Sequence, residues 1–216
     1  AVAGAVHQVG FDPATQRVTW HTLGEGAHLR PLGLCGSGIL DAVAALRRAG
    51  VIRPTGRLAE DRTGVSVDEG GVGREFILVP QAESGTGAPI PLTLQDIRQI
   101  QLAKAALAVG IEMLLERAGA ARVDRTILTG AFGARFDWRS AAAIGMLPPA
   151  AVAAVVEPRE NLAGVGAVLA LVNRARRREL AALAERTRFL ELAAEPDFGA
   201  RFAAATGFPE PVPSPG

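Results

Sequence analysis

Leu128-Thr129-Gly130-Ala131-Phe132-Gly133 is the stretch from which the fold is read. It follows the apolar run Thr126-Ile127-Leu128 and precedes Asp137-Trp138-Arg139-Ser140-Ala141, the start of a helix. β-branched and aliphatic residues, then a glycine pair, then a helix start describe a buried strand delivering its end to a ligand. Glycine suits that place because no side chain keeps the backbone from approaching. Two more glycine-rich turns, Gly36-Ser37-Gly38 and Ala163-Gly164-Val165-Gly166, adjoin expected helix starts. Free N–H groups and the helix dipole favour an anion there. Together the three turns suggest one nucleotide cleft.

The chain has 216 residues and a net charge of +1. That length supports one large domain with a substantial core, and that charge points to neither nucleic acid nor an acidic membrane. The longest apolar run, Leu162 to Val172, is far short of the roughly 20 residues of a bilayer span. There is no secretory pattern, and Cys35 is the single cysteine, so a disulfide framework is excluded and a reducing cytoplasm is the expected location. One cysteine and three scattered histidines supply no zinc or iron–sulfur ligand set. The first residue, Ala1, already lies in a strand-like pattern, so the chain reads as a piece of a longer protein. Of the 23 basic residues only Lys104 is lysine. Either codon bias spared one position, or a compact ammonium is needed there that a guanidinium cannot replace.

In order along the chain, Ala1–Gly10 and Gln16–Gly24 read as a hairpin around the turn Asp12-Pro13-Ala14-Thr15, with Val18, Trp20 and Thr22 on one face. A helix capped by Ser37 carries Ile39, Leu40, Val43, Ala44 and Leu46 on one side, has Asp41 in its first turn, and stops at Gly50. Its glycine loop, Gly33 to Gly38, is either a tightly packed turn or a ligand loop, and Cys35 is expected to be a small buried residue. From 51 to 80 only Arg74–Val79 reads as a strand. Thr93 opens the longest helix, with Asp96 completing an imperfect capping box and Gly119 ending it. Arg98, Gln101, Glu112 and Glu116 mark its wet face. Lys104 lies at the edge of its apolar arc, where it either snorkels to solvent or holds a carboxylate or phosphate.

Val123–Thr129 is the next strand, Asp137 caps a helix to Ile144, and Ala151–Glu157 is a short strand. Asn161 starts a second long helix running to about Glu185, with Gly164 and Gly166 in its first turn. Those glycines offset their cost to the helix by close approach to a neighbouring helix or to a ligand. The arginines Arg174, Arg176, Arg177 and Arg178 read as a solvated face. Arg188–Leu192 is a last strand, Pro196–Ala205 a short helix, and Pro-rich residues follow. Strands alternating with long helices indicate an α/β fold, helices flanking a mixed sheet.

Three segments, read together, are similar to one family: Gly33-Leu34-Cys35-Gly36-Ser37-Gly38-Ile39-Leu40-Asp41, then Asp96 to Ala106, then Leu128 to Gly133. Ile144-Gly145-Met146-Leu147-Pro148 and Asn161-Leu162-Ala163-Gly164-Val165-Gly166-Ala167 follow in the same order. The set resembles the C-terminal region of the reductive activators of corrinoid proteins, members of the acetate and sugar kinase, chaperone and actin superfamily. The resemblance spans residues 1–209, leaving 210–216 as a tail.

It implies a ribonuclease-H-like (actin-like ATPase) lobe of a protein that spends ATP, with Mg2+, to return a Co(II) corrinoid to Co(I) in a methyl-transfer system. The electrons would come from a [2Fe–2S] ferredoxin domain N-terminal to this chain. A corrinoid protein and a nucleotide are the implied partners, and a homodimer is expected. By position, Gly130, Ala131, Phe132 and Gly133 match the adenosine-side loop. Asn161, Ala163, Gly164 and Gly166 match the second hinge-side segment, and Gly36, Ser37 and Gly38 the glycine turn facing the cleft. Lys104 and Asp96 match the crossing helix, and a phosphate or partner contact is inferred for them. After Gly133 the family pattern has Asn and an aromatic where this chain has Ala134-Arg135, and before Leu162 it has Gly-Asn where this chain has Glu160-Asn161. Catalytic residues are not identified. A small-molecule kinase lobe would need an aspartate base, for which Asp137 and Asp41 are the candidates. A partner-binding or dimerisation module with a vestigial cleft is the other alternative.

Overall fold

The structure is a computed structural model that describes residues 2–24, 29–67, 71, 73–130 and 136–210. Ala131, Phe132, Gly133, the neighbouring Ala134-Arg135 and the tail beyond Glu210 lie outside the described residues.

The N-terminal hairpin forms as the sequence predicts. β1 (Ala5–Asp12) pairs antiparallel with β2 (Arg17–Thr22), from Val6 opposite Thr22 to Asp12 opposite Arg17. Asp12 builds the turn. Its Oδ1 accepts from the Ala14 N–H at 2.8 Å and its Oδ2 from the Thr15 hydroxyl at 2.7 Å, an Asx-type arrangement. These bonds hold the carboxyl below its ordinary pKa. β3 (Gly33–Leu34) adds in parallel on the other side of β1, so this small sheet is mixed. β3 feeds α1 (Gly36–Arg48), which packs against β1.

Within α1, Leu40, Val43, Ala44 and Leu46 are wholly buried. Each large aliphatic removed from water contributes about 2 kcal/mol. Gly50, at φ +71°, follows the helix in the left-handed conformation. The cap position differs from expectation. It is Cys35, without a side-chain cap bond, and Ser37 sits inside the first turn, its Oγ 3.2 Å from the Cys35 sulfur. Cys35 is half-buried.

A meander of β4 (Val65–Val67), β5 (Arg74–Val79) and β6 (Ile90–Thr93) forms a second sheet. Only β5 carries a strand pattern long enough to read in the sequence. Thr93 then caps α2 (Leu94–Ala118) with a complete capping box: the Asp96 N–H bonds the Thr93 Oγ1 at 3.2 Å, and Asp96 Oδ2 accepts from the Thr93 N–H at 2.9 Å. Gly119, at φ +64°, closes the helix.

β7 (Arg125–Leu128) and β8 (Val155–Pro158) form a separate parallel pair. Between them lie α3 (Trp138–Ala143) and the short α4 (Pro149–Val152). The strand expected over Ala151–Glu157 forms over its second half as β8, and only its start is corrected, because Pro148-Pro149 begins a helical turn there. The long helix expected from Asn161 is also corrected: it is two helices, α5 (Leu162–Val172) and α6 (Arg174–Arg186). Asn173 leaves helical geometry at φ −132° and accepts from the Ala175 and Arg176 N–H groups, capping α6. Arg177 is not merely solvated, since it donates to the Ala170 and Leu171 carbonyls at the end of α5, both at 2.9 Å.

The strand expected over Arg188–Leu192 does not form. A 3-10 turn at Leu192–Ala194 leads into α7 (Phe198–Ala205), which packs on α2. The main core gathers Val6, α1, β5, β6, Ile97, Ile144 and Phe208. By contrast α5 and α6 contribute no buried residue, and Leu171 and Val172 are 74% and 73% exposed.

Candidate functional site

The parallel β7–β8 pair sets the site, because ligands in such sheets meet the carboxyl ends of the strands. At that end the Arg159 N–H bonds the Leu128 carbonyl at 2.8 Å, extending the ladder. One residue on, Thr129 Oγ1 accepts from the Leu162 N–H at 3.2 Å and ties the strand end to the start of α5. The segments carrying Gly130 and Asn161 are thereby neighbours, although 31 positions apart in sequence. Gly130 sits at φ +88°, where a side chain is strained, and a Cβ there would meet no atom of the described residues.

Asn161 is itself left-handed at φ +45°, and its Oδ1 accepts from the Gly164 N–H at 3.1 Å. A Cβ on Gly164 would press on that Asn161 side chain, whereas one on Gly166 would touch nothing. Gly166→Ala is thus expected to stabilise this chain by about 0.5–1 kcal/mol, the helix-propensity gain, read as a higher urea midpoint. A lower midpoint would mean that the added methyl is not accommodated.

Gly38, in the glycine turn Gly36-Ser37-Gly38, is closely packed. α1 crosses β1 so closely that a Cβ on Gly38 would overlap the Val6 carbonyl oxygen, and that same oxygen accepts from the Cys35 N–H at 3.0 Å. Asp41 lies in the second turn of α1, not the first, and is buried with Oδ1 unpartnered among the described residues. Desolvation raises its pKa; the Ser140 side chain and the Val9 backbone ease this in part, while the Asp137 charge adds to it. A raised carboxyl pKa means that the folded chain holds the proton more tightly. That contribution to stability is full below the ordinary 3.8 and is lost as pH rises through the raised value. Asp41→Asn is therefore expected to raise the denaturation midpoint at pH 7, with the advantage shrinking towards acid. An equal midpoint at pH 7 would contradict the assignment. Asp137 caps α3, accepting from the Arg139 N–H at 3.0 Å and the Ser140 hydroxyl at 3.2 Å. It is engaged as a cap and not poised as a base.

Lys104 does not snorkel to solvent. It is 3% exposed and donates to the carbonyls of Ala205, at 2.6 Å, and Gly207. An ammonium at the C-terminal end of α7 complements the helix dipole. Its burial nonetheless pushes its pKa down to about 8. Gln101, placed by the sequence on the wet face, is buried and donates to the Thr55 and Thr206 carbonyls at 3.3 and 3.0 Å. Both side chains answer the return of residues 205–210 over α2, a nonlocal event that helical periodicity does not register. The lone lysine was the one available signal. Asp96 is committed to the capping box. Among the described residues no group of three His, Cys, Asp or Glu is arranged for a metal ion, and no helix is long and apolar enough to cross a membrane.

A family model described as the C-terminal domain of RACo, the ASKHA domain, matches residues 1–214. The chain is 34% identical over 205 residues to the corrinoid activation enzyme RamQ of Eubacterium limosum, covering 90% of this chain and 33% of that protein. It also matches a solved structure of a reductive activator for corrinoid, iron–sulfur protein, with a TM-score of 0.84 and 31% identity over 97% of this chain and 33% of the other. The chain spans about a third of the length of the relatives it matches.

Proposed function

Because the chain belongs to the family of the C-terminal ASKHA domain of RACo, an actin-like ATPase fold, we propose that it is one lobe of an ATP-dependent reductive activator of a corrinoid protein. The observation that carries the reading is the Thr129–Leu162 hydrogen bond, which holds Gly130 beside Asn161 at the carboxyl ends of β7 and β8. In this proposal Gly130, with Ala131, Phe132 and Gly133, supplies the adenosine side of a nucleotide cleft, and Asn161, Ala163, Gly164 and Gly166 supply its hinge-side segment.

The residues present fit a nucleoside better than phosphates. The Leu162 and Gly164 N–H groups at the start of α5 are already taken by Thr129 and Asn161, while no described residue occupies the space over Gly130 and Gly166. The phosphates and Mg2+ would then be held by a partner lobe elsewhere in a longer polypeptide. Gly36–Gly38 and Lys104 act in this picture by fixing the lobe's packing.

The reaction proposed for the whole protein is the one-electron reduction of a Co(II) corrinoid, its substrate, to Co(I). The electron comes from a [2Fe–2S] domain outside this chain, whose single cysteine cannot supply the cluster's thiolates. ATP would bias the conformation in which transfer occurs. The exposed apolar faces of α5 and α6 are assigned to contacts with the remainder of such a protein or with a second copy in a homodimer. A cytoplasmic location follows from that chemistry. The test is the absorbance of a corrinoid protein mixed with the complete activator and a reductant. ATP-dependent appearance of Co(I) is expected. Phosphorylation of a small molecule, or corrinoid-protein binding indifferent to nucleotide, would replace the reading with a kinase lobe or a docking module.

A further inference from the structure

A cavity of about 630 Å³ lies between α1, α2, the Gly145–Pro149 turn and residues 204–210, and shares no lining residue with the Gly130–Asn161 wall. Its walls are chiefly apolar, with Ala108, Ala142, Leu147, Val152 and Phe208 among them, yet Arg47 and Lys104 also line it. Both cations are nearly inaccessible, at 4% and 3% exposure. They converge on one short segment: Lys104 donates to the Gly207 carbonyl, and Arg47 Nη2 donates to the Pro209 carbonyl at 2.8 Å.

Neither cation is fully used. An ammonium has three donors, and Lys104 spends two on carbonyls. Arg47 Nε has no partner among the described residues, and the Nη1 contact to the Ile52 carbonyl is long at 3.5 Å. The carboxylate on Arg47 belongs to Glu210, at 3.2 Å, and that side chain is 81% exposed. Glu112, also on the lining, is turned to Arg201 at 3.3 Å. Two buried cations thus line an apolar chamber with backbone carbonyls, the Phe208 ring 5.6 Å from the Lys104 ammonium and the exposed Glu210 carboxylate as their partners, and no buried carboxylate among the described residues lies on them. The volume falls in the range of small-molecule sites, which combine apolar walls with a few convergent polar groups. Glu210 shows that the guanidinium donates to a carboxylate, and at 81% exposure that carboxylate can be exchanged for another.

We propose that this cavity binds a small amphipathic carboxylate, a medium-chain aliphatic acid in chemical class, with its headgroup on Arg47 and Lys104 and its apolar body against Leu147, Val152 and Phe208. The site is independent of the nucleotide wall. Calorimetric titration of this chain with octanoate, and with octanol as the uncharged control, tests it. Saturable octanoate binding is expected, with octanol weaker by at least about tenfold. Val152→Trp, which fills the chamber while leaving both cations in place, is expected to abolish octanoate binding in a chain with an unchanged circular dichroism spectrum. Lys104→Gln should weaken binding by about tenfold or more. Should Lys104→Gln fail to fold, Val152→Trp carries the test alone. ATP with magnesium should leave octanoate affinity unchanged. Absence of saturable octanoate binding, equal binding of octanol, undiminished binding by folded Val152→Trp, or competition by ATP would each overturn the proposal.

Discussion

Gly38→Val is expected to cost this chain about 3 kcal/mol of stability, near the upper end for overpacking. The reason is backbone, not side chain. An added Cβ would overlap the Val6 carbonyl oxygen and stand 2.9 Å from its carbon. Val6 cannot yield, because it is wholly buried, is registered against Thr22 on one side and Leu34 on the other, and accepts from the Cys35 N–H. Relief requires α1 to lift from β1, exposing Leu40 and Val43. In a chain of this size the melting temperature should fall by about 6–12 °C. A loss below about 1 kcal/mol would show that α1 does not sit on β1 as described. Gly166→Ala is the internal contrast: there the added methyl meets open space and the sign reverses.

Gly130→Val should act on ligand binding more than on folding. The φ of +88° makes any side chain uncomfortable, at a cost of about 1–2 kcal/mol. Among the described residues no atom lies where the Cβ would go, so none of them adds a packing penalty. The isopropyl group would occupy the open space over the end of β7 that the proposed cleft assigns to the nucleoside. Nucleotide affinity in a longer polypeptide carrying this chain is expected to weaken by about tenfold or more, with the fold retained. Calorimetry with ATP and magnesium reads it. Unchanged affinity would remove Gly130 from the site.

What could be read from the sequence was local. Thr93, Asp96 and Gly119 mark both ends of α2 because capping is decided within a few residues, and Asp12 with Thr15 marks the hairpin turn for the same reason. Asn173 escapes a reading from sequence because the apolar run before it and Arg174-Ala175-Arg176 after it are each compatible with one continuous helix, and one asparagine does not by itself announce a cap. Arg188–Leu192 has strand-like residues but, among the described residues, pairs with no strand, and β propensity without a partner forms nothing. Gln101 and Lys104 occupy positions whose environment is built by residues about a hundred places further on.

The site divides in the same way. Glycine positions and the helix starts beside them were visible, whereas the bond joining Thr129 to Leu162 depends on β7 and β8 lying parallel. Gly36–Gly38 left two readings open in sequence, and the position of Val6 decides for packing at Gly38. The resemblance to corrinoid activators added what no periodicity contains, and the family match now carries it.

If this chain is one wall of a two-lobe nucleotide cleft, as proposed, it needs the other wall to hold a nucleotide. Calorimetry with ATP and magnesium, on this chain alone and on a longer polypeptide carrying it, decides the matter. Binding by the longer form and not by this chain is the predicted result. Absence of binding by either would contradict it and leave the glycine turns as packing devices of a docking module.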